Sequence, residues 1–235
     1  MSLNKVLGVR HSRSCGLVPL AVLVAAAAAG ACSDSTGSSG VPATVQVVSG
    51  DSQSAVVATQ LAQPLVIVVH DSNDKPVTGV SVKFLTSDSG SFSAATATTD
   101  TLGQATTLFT PGKKAGSVVV SASVAGITSA TFQVNATPAA PSDLSKASGD
   151  AQTGADGTAL AAPLVVQITD EFGNPVAGVA ITWTVTGGTL SSADAVTDAN
   201  GEAHAVLTLG ASSGSETVTA HIAGATDVTF TETAQ

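Results

Sequence analysis

The sequence predicts an all-β protein: two tandem antiparallel β-sandwiches following a cleaved signal peptide. Three observations carry this. One stretch is written twice, since Asp71–Phe84 returns as Asp170–Trp183 at an offset of 99 residues (170 less 71). The segments between turns alternate apolar and polar residues, the period-two pattern of half-buried strands. Val, Thr, Ala, Ser and Gly dominate and aromatic residues make up only 3%, which suits short strands and tight turns rather than helices.

Within the repeated stretch Asp71 matches Asp170, Pro76 matches Pro175 and Gly79 matches Gly178. Val80, Val82 and Phe84 match Val179, Ile181 and Trp183. Pro175 fixes φ near −65° and offers no backbone donor, so Gly173–Asn174–Pro175 ends one strand. Gly178 allows a backbone conformation that a β-carbon opposes. Val179, Ile181 and Trp183 then alternate with Ala180 and Thr182. The unit is strand, turn, strand, delivering one large aromatic to a core.

Taken in order, the chain begins with a secretory leader over residues 1–31. Lys5, Arg10 and Arg13 form a positive region, and Leu17–Ala29 is apolar but shorter than the roughly 20 residues of a spanning helix. Ala29–Gly30–Ala31 is a small-residue cleavage site before Cys32. This arrangement resembles a bacterial lipobox and makes Cys32 the expected lipidation site. Ordinary signal peptidase would cut the same bond and leave Cys32 free. Residues 32–40 are Ser/Gly-rich and read as a flexible tether.

The first module covers residues 41–138. Val45 and Val47 open a strand, and Leu65, Ile67 and Val69 form the one that runs into Asp71. Phe92 follows a Ser/Gly loop as a core candidate. Asp100–Gly103 is a turn, after which Ala105, Thr107 and Phe109 face one way. Val118, Val120, Ala122 and Val124 make the next strand, and Ala130 and Phe132 close the module. About seven strands with turn signals every 8–12 residues are what a sandwich requires. Thr137–Pro141 holds two prolines and reads as a semi-stiff linker.

The second module covers residues 139–235 and repeats the elements. Leu164, Val166 and Ile168 match Leu65, Ile67 and Val69. Past the middle loop the offset falls to 98 (198 less 100), so one residue is missing between Trp183 and Gly188. Sandwich strands at about 3.4 Å per residue give each module a long axis of roughly 25–35 Å.

Charge and cysteine narrow the function. The net charge is −9, and the leader holds three basic residues and none of the 17 acids. The chain beyond Cys32 therefore carries five basic and 17 acidic residues, a net −12. Such a surface repels nucleic acid. The only cysteines are Cys15 and Cys32, so neither module holds a disulfide.

The motif Asp-x-x-Gly-Asn-Pro-Val-x-Gly-Val-x-Ile-x-Trp, then Thr197–Ala203, Gly214 and Val218–Ala220, resembles the group 1 bacterial immunoglobulin-like domains. These are the repeats of invasin- and intimin-type surface proteins. The first module resembles them too, with Asn73–Asp74–Lys75 replacing Phe172–Gly173–Asn174. The resemblance implies an immunoglobulin-like sandwich and a non-catalytic surface role as spacer, scaffold or adhesion-type module. Invasin-type proteins also carry an outer-membrane barrel and often a lectin-like tip, which this sequence does not show.

Few residues of the sequence point to chemistry. His70, His204 and His221 lie opposite the apolar sets and read as solvated strand residues. Asp71, Asp74, Asp170, Glu171, Asp198 and Asn200 fall in turns, where such side chains usually bond their own backbone. Carboxylates near the linker are the one arrangement that could take calcium. No nucleophile elbow, phosphate loop or Cys/His cluster occurs, so no catalytic, metal or cofactor-binding residue is assigned. The expected protein is an exported monomer, held to an outer membrane or cell surface through Cys32. The alternative function is a secreted or surface binding module that recognises a glycan or protein through loops of the second domain, with Phe172 as the available loop aromatic; the alternative location is periplasmic or secreted.

Overall fold

The computed structural model describes residues 40–235. The expected leader, Cys32 and most of the tether lie outside the described residues. No helix occurs among the described residues. The first module contains β1 (Thr44–Ser49), β2 (Gln53–Val56), β3 (Leu65–His70), β4 (Ser81–Thr86), β5 (Ser91–Phe92), β6 (Thr96–Thr98), β7 (Gln104–Thr107), β8 (Phe109–Thr110), β9 (Gly116–Ser123) and β10 (Ala130–Thr137). The second contains β11 (Pro141–Ser148), β12 (Thr153–Gly154), β13 (Leu164–Asp170), β14 (Thr182–Thr186), β15 (Thr189–Ala193), β16 (Glu202–Thr208), β17 (Gly214–His221) and β18 (Val228–Ala234).

In the first module the sheet β1-β3-β7 faces β2-β10-β9-β4-β6, with β5 and β8 paired at the margin; in the second, β11-β13-β16-β15 faces β12-β18-β17-β14. The expected antiparallel sandwiches are present, each with one parallel pair at a sheet edge. β2 pairs with β10, and β12 with β18, in parallel. The chain enters on one sheet, crosses to the other and keeps its direction, so it meets the last strand in parallel. The crossing bends at Ser52 (φ 57°) and Ala151 (φ 59°). A glutamine side chain braces each bend. Gln53 Nε2 donates to Gly50 O and Gln63 O while its Oε1 accepts from Gln63 N–H. Gln152 repeats the pattern with Gly149 and Ala162.

Each module has its own apolar core. Strand alternation builds it, as in β9, where Val118, Val120 and Ala122 are buried and Val119 is exposed. In the first core Phe92 stacks between Phe84 and Phe109, with centroids 6.0 and 5.0 Å away. The two expected aromatic anchors differ. Phe84 is fully buried, but Trp183 stays partly exposed beside Phe230 (6.4 Å). Its indole N–H donates to Asp194 O at 3.0 Å, and that polar handle keeps the ring at the core margin.

The missing residue in the second module has a compensation. In the first module Asp88 accepts from Gly112 N–H (2.8 Å), Gly90 N–H (2.9 Å) and the Thr86 hydroxyl (2.5 Å). The shorter second loop has Gly187 at the matching place and no acid. The matching amide, Gly210 N–H, is met instead by Glu216 Oε1 at 2.7 Å, from a strand position that holds Val118 in the first module. A β-carbon at Gly187, Gly188 or Gly210 would lie within 2.9 Å of the Glu216 side chain, so these glycines make its room. Burial raises the Asp88 carboxyl, but bonds from Thr86, Gly112 and Gly90 outweigh it and hold the group below the usual carboxylate range. Asp88→Ala is expected to destabilise the first module by about 1–2 kcal/mol, as read by urea denaturation at pH 7.

Candidate functional site: the joint between the sandwiches

β10 ends at Thr137 and β11 begins at Pro141, so only three residues separate the modules. What fixes them is the turn after β13. Asp170 is 2% exposed and accepts four hydrogen bonds. Oδ1 takes the N–H groups of Phe172 and Asn174, both at 2.9 Å. Oδ2 takes Ala139 N–H from the linker at 2.8 Å and the Asn174 amide at 2.9 Å. Burial pushes this carboxyl upward, yet the donors of Asn174, Ala139 and Phe172 together hold it below its ordinary value.

Asn174, 7% exposed, reaches across to the first module. Its Oδ1 accepts Ala115 N–H at 2.8 Å and its Nδ2 donates to Lys113 O at 2.8 Å. A side-chain amide thus bonds the backbone as a neighbouring strand would, taking one donor and one acceptor two residues apart. The network also fixes which amide atom is oxygen, because only oxygen can accept from Ala115. Beside it Phe172 packs against the rim of the first core, with Lys113 Nζ 5.2 Å from its ring centroid. Phe172, expected as a loop aromatic, thus packs into the joint and stays half-buried. Phe172→Ala is expected to cost about 1–2 kcal/mol of coupling between the modules, measured as a lowered transition for the second module with its core spectrum unchanged.

The first module carries the same turn without the hook. Asp71 Oδ1 accepts from Asn73 and Lys75 N–H at 2.8 and 3.0 Å. Gly40 stands where Ala139 stands in the second copy, and a β-carbon there would sit 2.6 Å from Asp71 Oδ2. Asn73 replaces Phe172 and Lys75 replaces Asn174, so both cross-module groups are absent from this end.

Of the other sequence candidates, Glu171 is exposed within the joint turn and the rest fall outside it. Asp100 and Asp198 close their turns on N–H groups two and four residues ahead. Asp170, which holds the linker at Ala139, spends both oxygens on N–H donors, which occupies a carboxylate that a calcium ion there would need. Among the described residues no three His, Cys, Asp or Glu side chains converge as a metal centre would require. His204 Nδ1 lies 3.1 Å from Asp194 Oδ2 and His221 Nδ1 2.6 Å from Asp227 Oδ1, at the surface. His70 is half-buried and joins neither pair.

The family model for the bacterial Ig-like domain (group 1) matches residues 48–137 and again 142–233. The chain belongs to this family. Among solved structures, the Escherichia coli adhesin FdeC aligns with 83% of this chain and 63% of its own, at 21% identity and TM-score 0.57. Yersinia pseudotuberculosis InvD aligns with 81% of this chain and 57% of its own, at 18% identity and TM-score 0.56. The chain thus spans less than two thirds of either, and the likeness is one of fold. The integrin-binding protein invasin aligns over 82% of this chain and 39% of its own at 27% identity, with TM-score 0.39. No curated protein matches the sequence.

Proposed function

We propose that this is an exported, non-catalytic surface protein in which two Ig-like modules act as one stiff scaffold or adhesion-type unit on a flexible tether. The observation that carries the reading is the asymmetry of the two entrance turns. The second module hooks the first through Asp170, Phe172 and Asn174. The first module has Asn73 and Lys75 there instead, so its own approach is left to the Ser/Gly tether. A spacer needs that combination, with bending confined to the root. Cys32, as the lipidated residue, supplies the membrane partner, since a multiply acylated cysteine holds far more firmly than one chain. Outer membrane or cell surface is the proposed location, and the family resemblance to adhesins supports it. The domain limits at residues 41–138 and 139–235 belong to the same proposal.

The test is the intact mass of the N-terminal peptide from natively produced protein, together with protease treatment of whole cells. Acylated Cys32 and cleavage by external protease support the reading. An unmodified Cys32 in protein recovered from the medium replaces it with a free secreted module.

A further inference from the structure

We propose that the outer face of the joint is a binding groove for a carboxylate-bearing polysaccharide, with Lys113 and Lys114 as its charge-recognising residues. A groove of 490 Å³ lies against the joint, lined by Ser89, Lys113, Lys114, Phe172, Gly173 and Asn174 among others. A second, of 360 Å³, shares Lys114 and Ala115 with it and continues past Ser87, Asp88 and Ser117. The two open grooves adjoin at Lys114 and Ala115, an arrangement suited to a chain rather than to a small enclosed molecule.

Three observations assign the charge. Beyond Cys32 there are five basic residues, and Lys113 and Lys114 are the only adjacent pair. Among the described residues no carboxylate comes within ion-pair distance of either; the only lysine so paired is Lys146, with Asp150. The fold does not need them, because the matching loop of the second module is built with Ala211 and Ser212. The joint's hydrogen bond at this residue uses the Lys113 carbonyl, and the ammonium, set over the Phe172 ring, belongs to an exposed side chain. Lys113 and Lys114 are both exposed and give this face a local excess of positive charge on a chain whose overall field, at net −12, opposes anions. Asp88, the acid lining the second groove, has its oxygens turned to Gly90 and Gly112 N–H.

The lining selects the class of anion. Ser87, Ser89 and Ser117 offer exposed hydroxyl groups for a hydroxyl-rich ligand, while the Asn174 amide is spent on the joint. The Phe172 ring is engaged by Lys113 and by the first core, so no deep apolar pocket remains to anchor a peptide side chain. The inference rests on the surface-module reading for its setting only; failure of binding leaves the location untouched, and the N-terminal mass tests location independently.

The experiment titrates oligogalacturonate into the purified protein at low salt, following backbone amide shifts by NMR, with dextran and poly-glutamate as comparison ligands. The expected result is a saturable shift at Lys113–Ala115 and Gly173–Asn174, weakened roughly tenfold by added physiological salt and by the double variant Lys113→Ala, Lys114→Ser. That variant keeps the backbone contacts and copies a sequence the fold already uses. No response to oligogalacturonate, shifts spread over the whole surface, equal binding of poly-glutamate, or undiminished binding by the double variant would each overturn the proposal.

Discussion

Asp170→Ala is expected to have the largest effect of any single substitution outside the apolar cores. It removes four acceptor contacts at once and strands Ala139 N–H, Phe172 N–H and Asn174 N–H in a site only 2% exposed. Bonds to an ionised group contribute about 1.5–3 kcal/mol each when isolated, but these share one carboxylate. A total loss of about 3–5 kcal/mol follows, felt both in the second module and across the joint. Asn174→Ala removes only the cross-module bonds and one internal bond, so it should uncouple the modules while costing less. In urea, Asp170→Ala should lower and broaden the transition, and Asn174→Ala should split it into two.

The sign with pH follows from the depressed carboxyl. Asp170 ionises more readily folded than unfolded, so its contribution is complete above the unfolded value near 3.8 and is lost as pH falls through the lower folded value. The joint should therefore loosen in strong acid, and Asp170→Ala should lack that acid transition.

Glu232 is expected to act in the opposite sense, and replacing it with valine should stabilise the second module at neutral pH. Glu232 is 0% exposed, with Oε1 left without a partner and Oε2 held by Gln152 N–H at 2.5 Å. The first module has Val134 at the matching strand position. Burial is the main force raising its carboxyl; Asp150 adds to it, while Gln152 and Ala151 N–H and the Lys146 ammonium oppose it. A raised folded value means that Glu232 favours folding below the unfolded value near 4.5 and that this is lost as pH rises through the folded value. Glu232→Val should raise stability by about 1–3 kcal/mol at pH 7 and give no gain near pH 4. Thermal melts across pH 4–8 read this directly; a variant less stable than wild type at pH 7 would show that the bond to Gln152 outweighs the burial cost.

Much of this is legible in the sequence, for reasons that particular residues make plain. Period-two alternation in Val118, Val120 and Ala122 is a local signal, and a repeat shows each strand twice. The turn acids can be read because an Asp two and four residues before its donors needs nothing from elsewhere. The parallel pairings of β2 and β12 cannot be read, because their direction is set by sheet crossings at Ser52 and Ala151, neither of which is glycine. Trp183 lies shallower than its pattern suggests, because alternation gives the face but not the depth, which its indole N–H decides.

The joint is visible only in part. Exchange of Phe172–Gly173–Asn174 for Asn73–Asp74–Lys75 resembles weaker repeat similarity, although it marks one end that docks and one that does not. Nothing local says that Asn174 should meet Ala115, because the two are far apart in sequence. The exchange of Asp88 for Glu216 is hidden in the same way, since the acid returns on a different strand. In both cases the informative signal is a difference between the two copies at equivalent positions.

The most direct test of the central claim is backbone ¹⁵N relaxation on the wild-type protein, fitted separately for each module. A locked joint predicts a single rotational diffusion tensor for both, and two independent tensors for Asn174→Ala. Independent tumbling of the modules in the wild type would contradict it and leave the hook without a mechanical role.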